Sequence, residues 1–143
     1  MLLHIIARGR IARSPEADLV DRYMKRLTWP AKITELPDMG GKTPLALYSP
    51  ARTVLLDETG DHLTSVQFAD LLQRWRDDGV REVRFCLGAA DGFTADARAG
   101  ADQAIAFGRA TWPHLMARAM LAEQLYRATS IIAGHPYHRE GMR

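Results

Sequence analysis

The last residues of the chain bring together side chains that can bind anions, stack on bases or move protons. His135, Tyr137, His138 and Arg139 occur in close succession and are followed by Glu140. Two imidazoles, a phenol, a guanidinium and a carboxylate can together exchange protons and recognise a charged partner. A passive terminus rarely needs so many such groups, which makes this segment a candidate functional tail. A polar, frayed terminus is the alternative interpretation.

A short turn with two glycines is the second candidate. Gly88 follows an apolar segment that ends at Leu87, and Gly92 lies four residues further on. Glycine lets the backbone approach a ligand closely and adopt a positive φ. An ordinary turn between a strand and a helix would use the same residues, so this motif alone leaves both interpretations open.

Other motifs fail on their spacing or surroundings. The run Gly-Gly-Lys-Thr at 40–43 lacks the first glycine of a phosphate-binding loop, because Leu36 stands at that position. Cys86 is the only cysteine, which excludes an intramolecular disulfide, and its apolar surroundings predict a core side chain rather than a nucleophile. His135 and His138 have no paired cysteines near them, and we predict no metal site.

Alternating strands and helices must position these groups. We predict strands at 1–7, 31–36, 52–57 and 81–87, helices at 14–27, 64–78, 95–106 and 114–132, and a short strand and loop at 107–113. This order predicts an α/β fold with a mostly parallel sheet. Ligands of such sheets bind beyond the carboxyl ends of the strands, which directs attention to the residues after Asp57, Leu87 and Phe107.

Length and composition bound the possible functions. The chain has 143 residues, of which 47% are hydrophobic and 25% charged, and these values predict one globular domain over 1–143. No stretch approaches the length of a membrane span, and we expect a soluble cytoplasmic protein without a membrane partner. Residues 1–56 and 109–143 are basic and 57–108 acidic, a distribution that favours an anionic partner for both ends or, alternatively, segregated solvated faces.

The last predicted helix has an apolar face that fits either the core or a dimer contact. Glu123 and Arg127 are four residues apart on this helix, a spacing that allows an ion pair along its surface. An exposed pair of this kind would contribute little to stability.

Several segments, in one order and spacing, make the chain resemble a known family. It is similar to the large-subunit ribosomal RNA pseudouridine N3-methyltransferases, which are small enzymes of the SPOUT class. The segments that carry the resemblance are Leu55-Leu56-Asp57 with Gly60, Leu87-Gly88, Thr111-Trp112-Pro113-His114, Ala122-Glu123-Gln124-Leu125-Tyr126-Arg127-Ala128 and His135-Pro136-Tyr137-His138-Arg139-Glu140.

The resemblance implies a fold and partners that spacing alone does not show. It implies a mostly parallel sheet sandwiched by helices, with a deep trefoil knot at about 85–134 and a functional tail at 135–143. It implies a homodimer, S-adenosylmethionine as methyl donor, and a pseudouridine of 23S-type ribosomal RNA, in the assembled ribosome, as substrate. The donor-binding positions that it implies are Leu56, Gly88, Ala89, Gly108, Arg109, Ala110, Thr111, Trp112 and Pro113.

The tail receives the catalytic roles. We expect Arg139 to stabilise negative charge on the substrate, because arginine is always charged and donates through a planar fork. His138 is expected to orient the base or accept its proton, Tyr137 to stack on a base, and Asp91 to be an alternative proton acceptor. Supporting and RNA-binding roles are expected for Glu123, Arg127 and His135.

Three features depart from the family pattern. Ala89 replaces a glycine, Asp91 replaces a longer carboxylate, and Gly141-Met142-Arg143 extends the tail. Ala89 and the extended tail keep a non-catalytic ribosome- or RNA-binding module open as an alternative. A SPOUT enzyme that methylates another RNA is the second alternative, and an unrelated α/β domain the third.

Overall fold

The chain alternates strands and helices in the order that the sequence predicts. A computed structural model describes residues 1–37, 50–88 and 92–139. Its elements are β1 (Leu2–Arg8), α1 (Pro15–Arg26), β2 (Ala31–Leu36), β3 (Ala51–Asp61), α2 (Ser65–Asp77), β4 (Glu82–Leu87), α3 (Ala95–Gly100), β5 (Gln103–Ile105) and α4 (His114–Ala133).

All strand pairs of the sheet are parallel, which confirms the predicted fold class. The strand order is β2-β1-β4-β3-β5, so the central strands are buried between neighbours. Ile5 of β1, for example, lies opposite Ile33 on one side and Phe85 on the other. Because the strands are parallel, the carboxyl ends of β3, β4 and β5 meet at one edge of the sheet. The trefoil knot stays a prediction.

One face of the sheet forms the main core with α2 and α4. Leu3 and Ile5 of β1 are fully buried against Leu72 of α2 and against Leu121 and Leu125 of α4. Burying each leucine or isoleucine side chain contributes about 1.5–3 kcal/mol relative to an exposed one. This packing fixes the direction of α4, the helix that leads to the tail.

The helix ends follow capping rules that can be seen in the sequence. The Ser14 hydroxyl accepts a hydrogen bond from the Ala17 amide at the start of α1, and Thr64 and Gln67 form a reciprocal capping box at the start of α2. Helix α4 ends at Gly134, whose φ of 73° turns the chain out of the helix and into the tail.

The segment 95–106 is not the single helix that the alanine-rich sequence predicts. Helix α3 ends at Gly100, and residues 103–105 form strand β5 instead. Asp102 explains the change, because its amide donates to the Thr53 carbonyl and its carboxylate accepts from the Thr53 amide. These long-range bonds to β3 outweigh the local helix preference of alanine. The predicted short strand at 107–113 is correspondingly wrong, and these residues form a loop.

Strand β3 also continues to Asp61, past residue 57 where the sequence predicts its end. Its pairing with β5 shifts register between Leu56 and Asp61, both of which lie opposite Ile105. A side chain at Gly60 would place its Cβ 2.6 Å from the carbonyl carbon of Ala104, so only glycine fits there. The intervening residues bulge out of the sheet at its carboxyl edge.

A buried arginine ties the start of α4 to two strands. Arg118 is 1% exposed, and its Nη1 lies 2.6 Å from Oε2 of Glu35 on β2. Its Nη2 donates to the Gly9 carbonyl after β1, and the same Glu35 oxygen accepts from the Ile11 amide. His114 donates from Nε2 to the carbonyl of Arg8. The loop after β1 is therefore held by both β2 and α4.

We predict that Arg118→Met lowers the free energy of unfolding by about 2–4 kcal/mol, because it leaves a partly buried carboxylate and a carbonyl without their donor. Urea denaturation at neutral pH measures the change. Arg22→Met is the matched control, since Arg22 is exposed on α1, and we expect a change within about 0.5 kcal/mol there.

The pH dependence of this effect tests its cause. Burial alone would raise the pKa of Glu35, but hydrogen bonds from Arg118 and the Ile11 amide lower it below its ordinary value of 4.5. A folded-state pKa below the unfolded value gives stability that is present above the unfolded pKa and is lost as pH falls through the folded pKa. The difference between Arg118→Met and wild type should therefore shrink below about pH 4.5. Equal stability of the two proteins at neutral pH would contradict the role of the arginine.

Candidate functional site

A cavity of about 480 Å³ opens at the carboxyl edge of the sheet. It lies where the sequence predicts a ligand, beyond the ends of β3, β4 and β5. Its volume is in the usual range for small-molecule sites. The residues around it are Leu56, Asp57, Glu58, Thr59, Leu87, Gly88, Gly92, Phe93, Arg98, Ile105, Ala106, Phe107, Gly108, Ala110, Thr111, Trp112, His114 and Ala117.

Most of the predicted donor-binding residues contribute to the wall of this cavity. They are Leu56, Gly88, Gly108, Ala110, Thr111 and Trp112. Arg109 and Pro113 belong to the same loop and are exposed, but they do not line the cavity. Ala89 and Asp91 lie outside the described residues, so their predicted roles stay predictions.

Hydrogen bonds hold the loop 106–113 in place as one wall of the cavity. The indole of Trp112 donates to the Phe107 carbonyl at 2.8 Å, which closes the loop on itself. Gly108 turns this loop with a φ of 95°. The Thr111 hydroxyl donates to Glu58 at 3.2 Å and connects the loop to the bulge after Leu56. The wall therefore combines backbone groups with one fixed carboxylate.

An ion pair between Asp57 and Arg98 crosses another part of the cavity wall. Asp57 is 9% exposed, and its carboxylate accepts from the Thr59 amide and hydroxyl and from Nε of Arg98, the last at 2.6 Å. Burial alone would raise the pKa of Asp57, but the hydrogen bonds from Thr59 and Arg98 lower it overall. Asp57 is therefore an ionised, fixed carboxylate at neutral pH.

Asp57 and Arg98 are two site residues that have no role predicted from the sequence. The position of Asp57, directly after a buried strand segment, could have indicated it. Arg98 carries no such signal, because it falls within the helix that the sequence predicts at 95–106. Only the observed end of α3 and the pairing of β5 with β3 bring it to the cavity.

The predicted tail residues form a second cluster, against α4. Arg127 binds the Glu123 carboxylate through Nε and through Nη2, the latter at 2.8 Å, and its Nη1 lies 3.0 Å from Nδ1 of His138. The Tyr137 hydroxyl donates to Glu123 at 3.1 Å. The Tyr137 ring lies edge-on to that of Tyr126 and under the Arg127 guanidinium. The predicted pair of Glu123 and Arg127 is thus half-buried and bidentate rather than fully exposed.

The hydrogen-bond partners in this cluster determine which ring nitrogen of His138 carries a proton and whether the Tyr137 hydroxyl is ionised. A guanidinium only donates, so Nδ1 of His138 must accept, and the ring proton is on Nε2. This Nε2 is buried and has no hydrogen-bond partner among the described residues. Burial, followed by the hydrogen bond with Tyr23 and the charge of Glu123, raises the pKa of Tyr137, so its hydroxyl is neutral. His138 Nε2 is therefore a buried donor that no described residue satisfies.

The remaining tail residues are accessible. His135 accepts a hydrogen bond from the Tyr137 amide through Nδ1, which shapes the turn after α4. Arg139 is exposed and makes no hydrogen bond or ion pair with other residues of the described part of the chain. Its guanidinium is therefore available to a partner.

Within one chain, the tail cluster does not contribute to the wall of the cavity. His114 lines the cavity at the start of α4, while Glu123 and Arg127 occur later on the same helix. At 1.5 Å per residue, these two residues lie about 14 and 20 Å further along the axis. Residues 135–139 do not line the cavity. Among the described residues, the structure thus does not bring the predicted catalytic residues of the tail into the predicted donor site of the same copy.

Comparison with known proteins identifies the family of the chain. A family model described as predicted SPOUT methyltransferase matches residues 1–138. The chain belongs to the SPOUT methyltransferase family. It is 74% identical to a protein of Sphingopyxis alaskensis over 99% of both chains and 67% identical to one of Novosphingobium aromaticivorans over 99% of this chain and 100% of the relative. A third relative, from Zymomonas mobilis, is 58% identical over 99% of this chain and 100% of its own length. All three carry the name ribosomal RNA large subunit methyltransferase H.

A SPOUT methyltransferase needs a site for a methyl donor, and the cavity at the strand ends is the candidate. Residues 1–37, 50–88 and 92–139 contain no group of three metal-ligating side chains. Over the same ranges, no helix is long and apolar enough to cross a membrane. Burial raises the pKa of the Cys86 thiol to about 11, so this β4 side chain is not an ionised nucleophile at neutral pH.

We predict that His138 is in the Nε2–H form in solution. Nitrogen-15 NMR of the two ring nitrogens at neutral pH should show a protonated Nε2 and an unprotonated Nδ1. Arg127→Met removes the donor to Nδ1 and should give a mixture of tautomers, whereas Arg22→Met should leave the spectrum unchanged. A protonated Nδ1 in the wild-type protein would contradict the arrangement.

Proposed function

We propose that this SPOUT methyltransferase transfers a methyl group from S-adenosylmethionine to N3 of a pseudouridine in large-subunit ribosomal RNA. The cavity at the shared carboxyl edge of β3, β4 and β5 carries the proposal, because it provides a donor site in a chain of this family. The names of its relatives support ribosomal RNA as the substrate. We further propose that residues 1–143 act as one domain, in the cytoplasm where ribosomes are modified.

The cavity fits the proposed donor in size and chemistry. Its apolar residues, among them Leu56, Ile105 and Trp112, suit an adenine ring, and its loop backbone can hydrogen-bond to ring nitrogens. Asp57 and Glu58 supply negative charge near a sulfonium cation. When bound, S-adenosylmethionine supplies an electrophilic methyl group. The chain's own task is to align the acceptor and to remove its proton.

The tail supplies groups suited to the acceptor. Attack by N3 requires loss of an imide proton, and the resulting negative charge lies on N3 and the neighbouring base oxygens. Arg139 is accessible and permanently charged, so it can stabilise that charge. The contact with Arg127 leaves the ring proton of His138 on Nε2, which favours the role of orienting a base oxygen over that of accepting the proton, once docking uncovers this buried nitrogen. Tyr137, whose hydroxyl is bound to Glu123, holds the tail in position.

The separation of the tail from the cavity supports a homodimer in which one copy supplies the tail to the other copy's cavity. Exposed apolar side chains on α1 and near the start of α4 favour such a contact. Leu19 is 37%, Met116 39% and Trp112 42% exposed. Contact with a second copy would remove these three side chains from water.

The exposed cations of the chain suit an RNA substrate that is recognised by its folded shape as well as by its charge. Arg10 and Arg13 are exposed in the loop that Arg118 holds, and Arg139 is exposed in the tail. So small a number of cations cannot bind RNA tightly by charge alone, since each contact with a phosphate contributes only a part of the affinity. We propose docking on a preformed surface of the assembled ribosome.

The donor site is tested by Thr111→Trp, which fills the cavity from its loop wall. We expect titration calorimetry with S-adenosylmethionine to show at least a ten-fold loss of affinity, because the indole would occupy ligand space. Thr28→Trp, at an exposed position after α1, is the control and should bind normally. Undiminished affinity of Thr111→Trp would refute this placement of the donor.

The role of the tail is tested by Arg139→Ala. Loss of a charge-stabilising donor should reduce methyl transfer to pseudouridine-containing ribosomes about 100-fold or more, while donor affinity stays unchanged. Full activity of the variant would refute the role of Arg139.

Co-expression of Arg139→Ala with Thr111→Trp then distinguishes the two geometries. Each variant alone should show strongly reduced methyl transfer at a donor concentration that saturates only the wild-type protein. A mixed dimer combines the intact cavity of one copy with the intact tail of the other, so activity returns only if the tail acts on the partner's cavity. An inactive mixed dimer would refute the exchange of tails.

A further inference from the structure

Arg98 has an unusual environment for a cation that lines a cavity. Its Nε donates to Asp57 at 2.6 Å, and its side chain is 47% exposed. Within the described ranges, neither terminal nitrogen of its guanidinium has a hydrogen-bond partner. The residue therefore carries unused donors beside the space where a ligand would bind.

Asp57 holds this guanidinium in a defined place. The carboxylate is buried, ionised and fixed by both the amide and the hydroxyl of Thr59. Because it engages only Nε of Arg98, the two terminal nitrogens remain available for a second anion. A guanidinium prefers to bind a carboxylate through two parallel N–H groups, which is the geometry that remains open here.

The charges around the cavity narrow the class of that anion. Asp57 and Glu58 are both acidic, so a ligand with several negative charges, such as a phosphate ester, would be repelled. A zwitterion that carries one carboxylate next to a cationic group matches a guanidinium with open terminal nitrogens in a cavity that two carboxylates also line. The amino-acid end of S-adenosylmethionine has this chemistry.

We propose that Arg98 binds the α-carboxylate of the methyl donor and that Asp57 is the positioning residue that orients Arg98 for this contact. The proposal rests on the proposed function, since it assigns a part of the same donor. It adds α3 to the donor site and makes the ion pair to β3 a part of ligand recognition.

Two ligands that differ only at this end test the assignment. S-Adenosylhomocysteine carries the carboxylate, whereas methylthioadenosine keeps the adenosine and sulfur and lacks the amino-acid end. Titration calorimetry of Arg98→Met should show about ten-fold or greater loss of affinity for S-adenosylhomocysteine and a change of less than about two-fold for methylthioadenosine. Arg98→Lys retains a cation and should recover part of the loss.

Controls separate this role from a structural one. Arg22→Met should bind both ligands as wild type does, and urea denaturation of Arg98→Met reports whether the fold is intact. Equal weakening of both ligands would mean that Arg98 only anchors α3, and unchanged binding of both would mean that it does not contact the donor. Either result overturns the assignment and leaves the donor site standing. Failure of the wild-type protein to bind either ligand would instead overturn the proposed function.

Discussion

The close approach of Gly60 to the backbone of Ala104 is the constraint on which the cavity depends. Glycine has no side chain to clash with the Ala104 backbone, so β3 can run beside β5 on both sides of its register shift. The residues between Leu56 and Asp61 are thereby pushed out at the carboxyl edge, where Asp57 and Glu58 become part of the cavity wall. One backbone contact thus determines where the negative charge of the site lies.

Local patterns in the sequence were sufficient for most of the fold. The caps at Ser14 and Thr64 and the alternation of apolar segments predicted the order of strands and helices, because these signals act over a few residues. The segment 95–106 was different. Its helix preference is local, whereas the bonds between Asp102 and Thr53 join residues far apart in sequence and cannot be seen in a short window.

The candidate site shows the same division. Resemblance to a family indicated the loop wall of the cavity and the tail, since whole motifs are preserved there. The pair of Asp57 and Arg98 was missed because a strand end and a short helix meet only after the sheet has formed. The tautomer of His138 could not be predicted either, because it follows from the donor that Arg127 places against Nδ1.

The packing of helix α4 limits where residues can be inserted or deleted in related sequences. It joins the cavity, at His114, to the tail that leaves at Gly134, and its interior is packed against the sheet and fixed at Arg118. The helix therefore fixes the distance and the angle between the cavity and the tail of one chain. One residue inserted into it would rotate the tail by about 100° relative to the cavity and move it by about 1.5 Å. Changes of length in this lineage should be confined to segments outside that helix.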